Sequence, residues 1–268
     1  MYWLRYLLKE PFNSLQTARD REFVTLLRKY GDIKRYERKR VSFKKYNLDV
    51  PDVMSFLWQY KEIFVDESYL FKTTSNRPVI IDCGTNVGMS ILFFREQFPD
   101  SKIVTFEADP VILELLRANL IRNNITDIDL VPAAVWKDTD GLLFGSEFAD
   151  NSSIYLNKEK TKVPSVRLRD YIQAEKQIDF LKIDIEGAET EVLIDCKDSL
   201  GNVKNLFVEY HSYINNPQSL ATIIQIFEES GFRYFIDTNQ HRQRPFVNHR
   251  YRGNDDMDLQ LNIFGWRE

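Results

Sequence analysis

A mainly parallel α/β sheet with helices on both faces is the fold this sequence predicts, and three observations predict it. Short β-branched runs recur along the chain and end in turn or charged residues. Stretches with helical spacing of apolar residues separate them. One run, Ile178–Ile185, is apolar almost throughout, as a strand buried on both faces has to be. Strands joined through crossover helices lie parallel, with the helices covering the sheet.

The elements follow in order. Val79–Ile81 is the first strand of the frame and ends at Asp82; Gly84, Thr85, Asn86 and Gly88 make the turn. Helical spacing runs through Ile91, Leu92, Phe94, Arg95 and Phe98 until Pro99-Asp100 stops it. Lys102–Phe106 is the second strand. Asp109 caps the next helix, Pro110 suits its first position, and Ile112, Leu115, Leu116 and Leu120 form its apolar face. Asp127–Val131 is the third strand. Gly141, Gly145, the Asn-Ser-Ser run at 151–153 and Pro164 then break the rhythm, so 134–170 reads as hairpins inserted into the frame. The frame resumes at Ile178–Ile185, with a helix through Val192, Leu193 and Cys196, a strand at Asn205–Tyr210, and a helix from Asn216-Pro217 to near Gly231. Phe232–Ile236 and Met257–Phe264 close the chain as a strand pair, which turns one of the seven strands antiparallel. Residues 1–75 carry a mixed helical pattern and read as an N-terminal helical cap on a domain spanning 76–268.

Composition sets the class. The chain has 268 residues, 43% hydrophobic and 28% charged, with a net charge of −4. That describes a globular protein with a sizeable core and gives no bulk electrostatic reason to bind nucleic acid. Cys83 and Cys196 both sit inside predicted core elements, so neither a disulfide framework nor a zinc site is expected. The start, MYWLRYLLKEPF, is too short for a spanning helix and lacks a signal-peptide cleavage site; it reads as a helix packed on the protein's own body. A cytoplasmic location is the expectation. Arg28, Lys29, Lys34, Arg35, Arg38, Lys39, Arg40, Lys44 and Lys45 crowd one stretch, which leaves open peripheral contact with the inner face of a membrane.

Ligands of such sheets lie beyond the carboxyl ends of the strands, where chain order reverses. Three segments end in unusual residues at that edge. In Asp82-Cys83-Gly84-Thr85-Asn86-Val87-Gly88 the glycines let backbone approach a ligand closely, and Asp82 is placed to meet an ammonium or a bound water. The G-x-G-x-x-G spacing of dinucleotide sites is missing, so a ligand with an amino-acid end and a nucleoside end suits the turn better than a pyrophosphate. Glu107 ends the second strand 25 positions after Asp82, near the offset of about 20 at which an acidic residue meets a ribose in the related dinucleotide fold. In Leu181-Lys182-Ile183-Asp184-Ile185-Glu186-Gly187-Ala188-Glu189, strand alternation puts Lys182 and Asp184 on one face, with Glu186 just beyond. Three charges closing a core strand need partners or a ligand.

These segments resemble the FkbM-type methyltransferase family: the Asp82–Gly88 motif, Glu107 and, most specifically, LKIDIEGAE at 181–189. The similarity spans about residues 60–212, and Glu62–Phe64 with Tyr69 matches an EIF…Y-like stretch. Cys83 departs from the aliphatic residue expected there. The resemblance implies a Rossmann-like class I methyltransferase fold, S-adenosylmethionine as cofactor, and a hydroxyl acceptor on a sugar, glycan or natural product. Carried over by position, Asp82, Gly84, Asn86 and Gly88, with Thr85 and Ser90 beside them, hold the methionine end. Glu107, with Ala108 next to it, holds the ribose; Ala134 and Val135 flank the adenine; Asp184 lies near the methyl-bearing sulfur.

Methyl transfer to oxygen is an in-line displacement helped by a positioned base. Asp184, Glu209 and His211 are the candidate bases, with Lys182 as a further catalytic candidate. Oxygen ligands from Asp184, Glu186 and Glu209, with His211, would suit a divalent metal, but no spacing demands one and none is predicted. The 238–256 loop carries His241, Arg242, Arg244, His249, Arg250 and Arg252, then Asp255, Asp256 and Asp258. Arg242, Arg244 and Arg250, with Glu186, are the candidate substrate contacts, the arginines suiting a phosphate-bearing acceptor. Two other reactions stay open: nicotinamide-dependent oxidation or epimerisation of a sugar, opposed by the lack of G-x-G-x-x-G and of a Tyr-x-x-x-Lys pair, and methylation at nitrogen.

Overall fold

The computed structural model describes residues 3, 4, 6, 16–145, 160–238, 242–251, 254 and 256–267. Helix α1 (Ala18–Tyr30) begins at a Thr17 capping box: the Thr17 hydroxyl accepts from Asp20 N, and the Asp20 carboxylate accepts from Thr17 N. Strands β1 (Lys39–Phe43) and β2 (Tyr46–Val50) pair antiparallel, then α2 (Val53–Tyr60) runs directly into a π-helical turn, Lys61–Val65. The cap therefore contains a hairpin that helical spacing does not reveal, because its buried positions alternate over only five residues per strand.

The frame then unrolls as β3 (Val79–Cys83), α3 (Met89–Gln97), β4 (Lys102–Phe106), α4 (Pro110–Arg122) and β5 (Asp129–Val131). Asp109 caps α4 as expected, its Oδ1 accepting from Val111 N at 2.8 Å. In the interrupted stretch, β6 (Ala134–Trp136) pairs in parallel with β9 (Ser165–Arg167), and β7 (Leu142–Gly145) pairs antiparallel with β8 (Lys160–Val163). One expected hairpin is present; the other short pieces form a parallel pair, and the Asn-Ser-Ser run lies outside the described residues. After α5 (Leu168–Ala174) come β10 (Ile178–Ile183), α6 (Glu189–Cys196), a 3₁₀ segment (Lys197–Asn202), β11 (Val203–Tyr213), α7 (Leu220–Glu229), β12 (Arg233–Asp237) and β13 (Met257–Trp266). Helix α7 starts at Leu220, three residues after Pro217, with Ser219 N donating to the Tyr210 hydroxyl at 2.9 Å.

The main sheet has seven strands in the order β12-β13-β11-β10-β3-β4-β5, and β13 is antiparallel to both neighbours. The chain moves outward from β3 to β5, then returns to the other side of β3 with β10. The order reverses between β3 and β10, the switch point beyond whose carboxyl ends ligands of such sheets bind.

Each face of the sheet has its own core. On one, Phe23, Phe43, Phe56, Tyr60 and Phe64 of the cap join Phe93, Phe94, Phe180 and Phe207 of the frame in one cluster. Trp3 and Tyr6 pack against it, Tyr6 edge-on to Phe23 at 5.3 Å. On the other face, Ile81, Leu181, Ile183, Val192, Leu193 and Phe227 pack together, with Cys83 and Cys196 as free, buried thiols. Part of the basic stretch is neutralised locally: Arg40 bridges Asp49, Arg35 bridges Asp52, and Lys44 bridges Glu96 at 2.6 Å. No helix among the described residues is long and apolar enough to cross a membrane.

Candidate active site

Both turns at the switch point are built around backbone conformations few side chains tolerate. Gly84, Asn86 and Gly88 have φ of +83°, +53° and +98°. Gly84 N and Thr85 N donate to Phe106 O at 3.1 and 3.2 Å, tying the turn to β4. Asp82 is fully buried beneath it. Its Oδ2 accepts from the Thr85 hydroxyl at 2.7 Å and the Ser90 hydroxyl at 2.6 Å, and its Oδ1 lies 3.5 Å from Lys182 Nζ. Asp82, Thr85 and Ser90 therefore hold the turn from below, while Asn86 and Gly84 are its partly exposed surface.

Glu107 sits at the end of β4, where the sequence places it. Its Oε2 accepts from Asn86 N and its Oε1 from Asp109 N, both at 2.9 Å. Burial pushes its carboxyl up to about 7, against the pull of those N–H donors. A carboxylate has about four acceptor positions. The set is therefore incomplete, which suits a vicinal diol such as a ribose. Ala108 beside it is partly exposed, whereas Ala134 and Val135 are buried in β6.

Across the switch point, Asp184 N donates to Cys83 O at 3.2 Å, which extends the β3–β10 pairing past the last strand residue. Lys182 is buried under both turns. It donates to Gly84 O at 2.9 Å and meets Asp184 Oδ2 at 3.1 Å. Burial works against its charge, but Asp184 and Asp82 outweigh it and the ammonium is held more firmly than usual. Lys182 is thus a clamp joining β3, β10 and the two turns. Its charge is met by ion pairs with Asp184 and Asp82.

Glu186 and Gly187 complete the second turn with φ of +57° and +102°. Glu189, at the start of α6 and 1% exposed, secures that turn by accepting from Ile185 N at 3.1 Å and Gly187 N at 2.9 Å. The same Glu189 Oε1 meets His211 Nδ1 at 3.1 Å. His211 and Glu209, on one face of β11, are both buried. His211 Nε2 stands 3.6 Å from Glu186 Oε2 and 4.0 Å from Glu209 Oε1. Burial disfavours the imidazolium, but Glu186 and Glu189 override it and raise His211 well above its ordinary value. Burial and then Asp184 push the Glu209 carboxyl well above the usual carboxylate range, and the Gln260 amide donates to it.

The structure therefore gathers Asp184, Glu186, Glu209, His211 and Lys182 in one place and sets Glu107 and the 82–88 turn beside them. It also adds groups that sequence reasoning did not assign. Glu62, carried by the π-helical turn, accepts from Asn262 Nδ2 at 2.8 Å, and burial followed by Asp184 raises its carboxyl to about 7. The EIF…Y stretch was its only signal. Glu189 was visible in the 181–189 motif, but its double task of fixing a turn and a histidine depends on tertiary contact. The arginine-bearing loop behaves differently. Arg242 donates to Asp258 O and, at 3.5 Å, to His249 O, so it closes the loop on itself. Arg244 and Arg250 are exposed, Arg244 at a turn with φ of +50°. His241, Arg252 and Asp255 lie outside the described residues.

Known proteins resemble this chain in sequence. The sequence profile described as Methyltransferase FkbM domain matches residues 82–234, more than half of the chain. The 31-O-demethyl-FK506 methyltransferase FkbM of Streptomyces tacrolimicus is 29% identical over 213 residues, covering 65% of this chain and 80% of that protein. Methyltransferase sdnD of Sordaria araneosa is 27% identical over 216 residues, covering 66% and 77%. Among solved structures, M. jannaschii TYW2 in complex with AdoMet gives a TM-score of 0.47 at 11% identity over 88% of this chain and 89% of that one, too remote to bear on chemistry. Family membership sets aside the nicotinamide alternative: this chain belongs to the FkbM methyltransferase family.

Proposed function

We propose that this protein transfers the methyl group of S-adenosylmethionine to a hydroxyl oxygen of a sugar, glycan or other polyhydroxylated natural product. The observation that carries the reading is the pairing of an incomplete carboxylate acceptor at Glu107 with the carboxylates of Asp184 and Glu209, across the β3–β10 switch point. When bound, the cofactor supplies an electrophilic methyl on a sulfonium, a cation that carboxylates stabilise. Glu107 would hold its ribose, and the 82–88 turn, with Asn86 on its partly exposed surface, would hold its amino-acid end. As the oxygen–methyl bond forms and the sulfur–methyl bond breaks, with S-adenosylhomocysteine as the leaving group, Glu209 would take the proton of the acceptor hydroxyl. Its desolvated carboxylate is a stronger base than an exposed one, and a positioned base is worth about 10²–10⁴-fold. The Streptomyces tacrolimicus relative is named for 31-O-demethyl-FK506, which supports an acceptor oxygen. Exposed Arg244 and Arg250 favour an acceptor bearing phosphate or carboxylate.

Calorimetric titration of the full chain tests the cofactor. Saturable binding of S-adenosylmethionine is expected, weakened at least tenfold in Glu107→Ala, with no binding of NAD. A panel of glycans and macrolide polyols, followed by mass spectrometry for one added methyl, then tests the acceptor. Methylation confined to amines would overturn the oxygen assignment.

A further inference from the structure

Asp184, Glu186 and His211 each offer one ligand atom, and the three atoms lie within 4.8 Å of one another. Displacement of a sulfonium does not itself require such a set. We infer that these residues form a site for one divalent first-row cation, best matched by manganese(II). The inference rests on the methyltransferase reading for its purpose, orienting the acceptor, but not for its existence.

The argument turns on His211, which is 6% exposed. Its Nδ1 is engaged by Glu189, and Glu189 is itself fixed by the N–H groups of Ile185 and Gly187. That carboxylate sets the ring plane and holds the proton on Nδ1, so a bound cation takes the place of the proton on Nε2 and releases it to solvent. Nε2 faces Glu186 at 3.6 Å and Glu209 at 4.0 Å, beyond hydrogen-bond range of both. The second ring nitrogen of a buried histidine thus points into the ligand set, at ion-pair rather than hydrogen-bond distance from both carboxylates. A carboxylate holding the far nitrogen of a histidine is the usual outer support of a metal-binding imidazole.

The donor set selects the ion. Two carboxylates suit magnesium or manganese, while an imidazole moves preference toward the first-row metals. Bonds of about 2.1 Å place neighbouring ligands roughly 3 Å apart, so the three groups must draw together slightly. Asp184 and Glu186 are 22% and 28% exposed at the side chain, which leaves them room to turn. Lys182 engages Asp184 through Oδ2 and leaves the other oxygen for the ion. Three protein ligands leave open positions, which two neighbouring oxygens of a polyol could fill.

The test is a manganese(II) titration of the full chain read by electron paramagnetic resonance, with and without saturating S-adenosylhomocysteine. One ion per chain is expected, with nitrogen modulation from a directly bound imidazole in the wild-type spectrum. Glu186→Gln and His211→Gln, confirmed folded by circular dichroism, should each weaken binding at least tenfold. Glu189→Gln should weaken it about 10–100-fold by freeing the ring. No bound ion under either condition, a bound ion without nitrogen modulation, or equal binding by the folded variants would overturn the site. Calorimetry with S-adenosylmethionine alone keeps the two readings apart. Cofactor binding without manganese removes only the metal site, and manganese binding without the cofactor removes only the methyltransferase chemistry.

Discussion

The Asp184 carbonyl oxygen lies 1.7 Å from where a β-carbon on Gly84 would sit, so the two turns at the switch point touch backbone to backbone. Gly84 also has φ of +83°, which an alanine adopts only with strain. Gly84→Ala should force β3 and β10 apart at their carboxyl ends and cost about 2–4 kcal/mol of stability. Urea unfolding measures this. A midpoint within error of wild type would mean that the turns are not in contact.

Lys182 and Asp82 form a buried pair whose members have unequal alternatives. Lys182 also meets Asp184 and the Gly84 carbonyl, whereas Asp82 Oδ1 has no hydrogen-bond donor beyond that ammonium at 3.5 Å. Removing one partner of such a pair costs about 3–5 kcal/mol, and removing both can be nearly neutral. Lys182→Met should destabilise strongly, and adding Asp82→Asn should recover part of the loss. A double-mutant cycle measures the coupling; additive losses would show that the pair is not an energetic unit.

What the sequence made legible divides along the range of the forces involved. The positions of the seven strands along the chain, and that one of them is antiparallel, were readable because periodicity and helix caps such as Asp109-Pro110 are local; their order in the sheet was not, because it is set by long-range pairing. Glu107 and Asp184 were readable because topology alone sends strand ends to the ligand edge. Glu62 was not, because it reaches the site from the cap and meets Asn262 two hundred positions away. Glu189 gave no sign of its hold on His211 for the same reason. Arg242 shows the converse: a charge that suggested a substrate contact is used on backbone carbonyls of its own loop and strand.

The buried carboxyl of Glu107 should make stability and cofactor affinity depend on pH in opposite senses. Its folded-state value is about 7 against an ordinary 4.5, so folding takes up a proton between those values. The stability it contributes is full below about 4.5 and is lost as pH rises through about 7. Binding of a ribose diol prefers the ionised acceptor, so affinity for S-adenosylmethionine should fall about tenfold per unit as pH drops below about 7. Glu107→Gln should remove this part of both dependences. Thermal melts and calorimetry across pH 5–8 read the difference, and identical profiles in the two proteins would exclude Glu107 as the titrating group.

The cap is expected to be inseparable from the catalytic frame. Phe43, Phe56, Tyr60 and Phe64 pack in the same cluster as Phe93, Phe94 and Phe207. Asn119 of α4 joins the parts by hydrogen bonds as well. Its side chain accepts from Asp49 N at 2.8 Å and donates to Asp49 O at 3.0 Å and to Val87 O, in the 82–88 turn, at 3.1 Å. A fragment of residues 76–268 would bare several fully buried aromatic side chains at about 1.5–3 kcal/mol each. That sum matches or exceeds the 5–15 kcal/mol by which domains of this kind are usually stable. The fragment should melt without a cooperative transition and bind a hydrophobic dye. Asn119→Ala in the full chain should cost about 2–4 kcal/mol by orphaning the Asp49 and Val87 groups, and it should weaken cofactor binding through the loosened turn. A sharp melt from the fragment would show instead that the frame folds alone and that the cap only covers it.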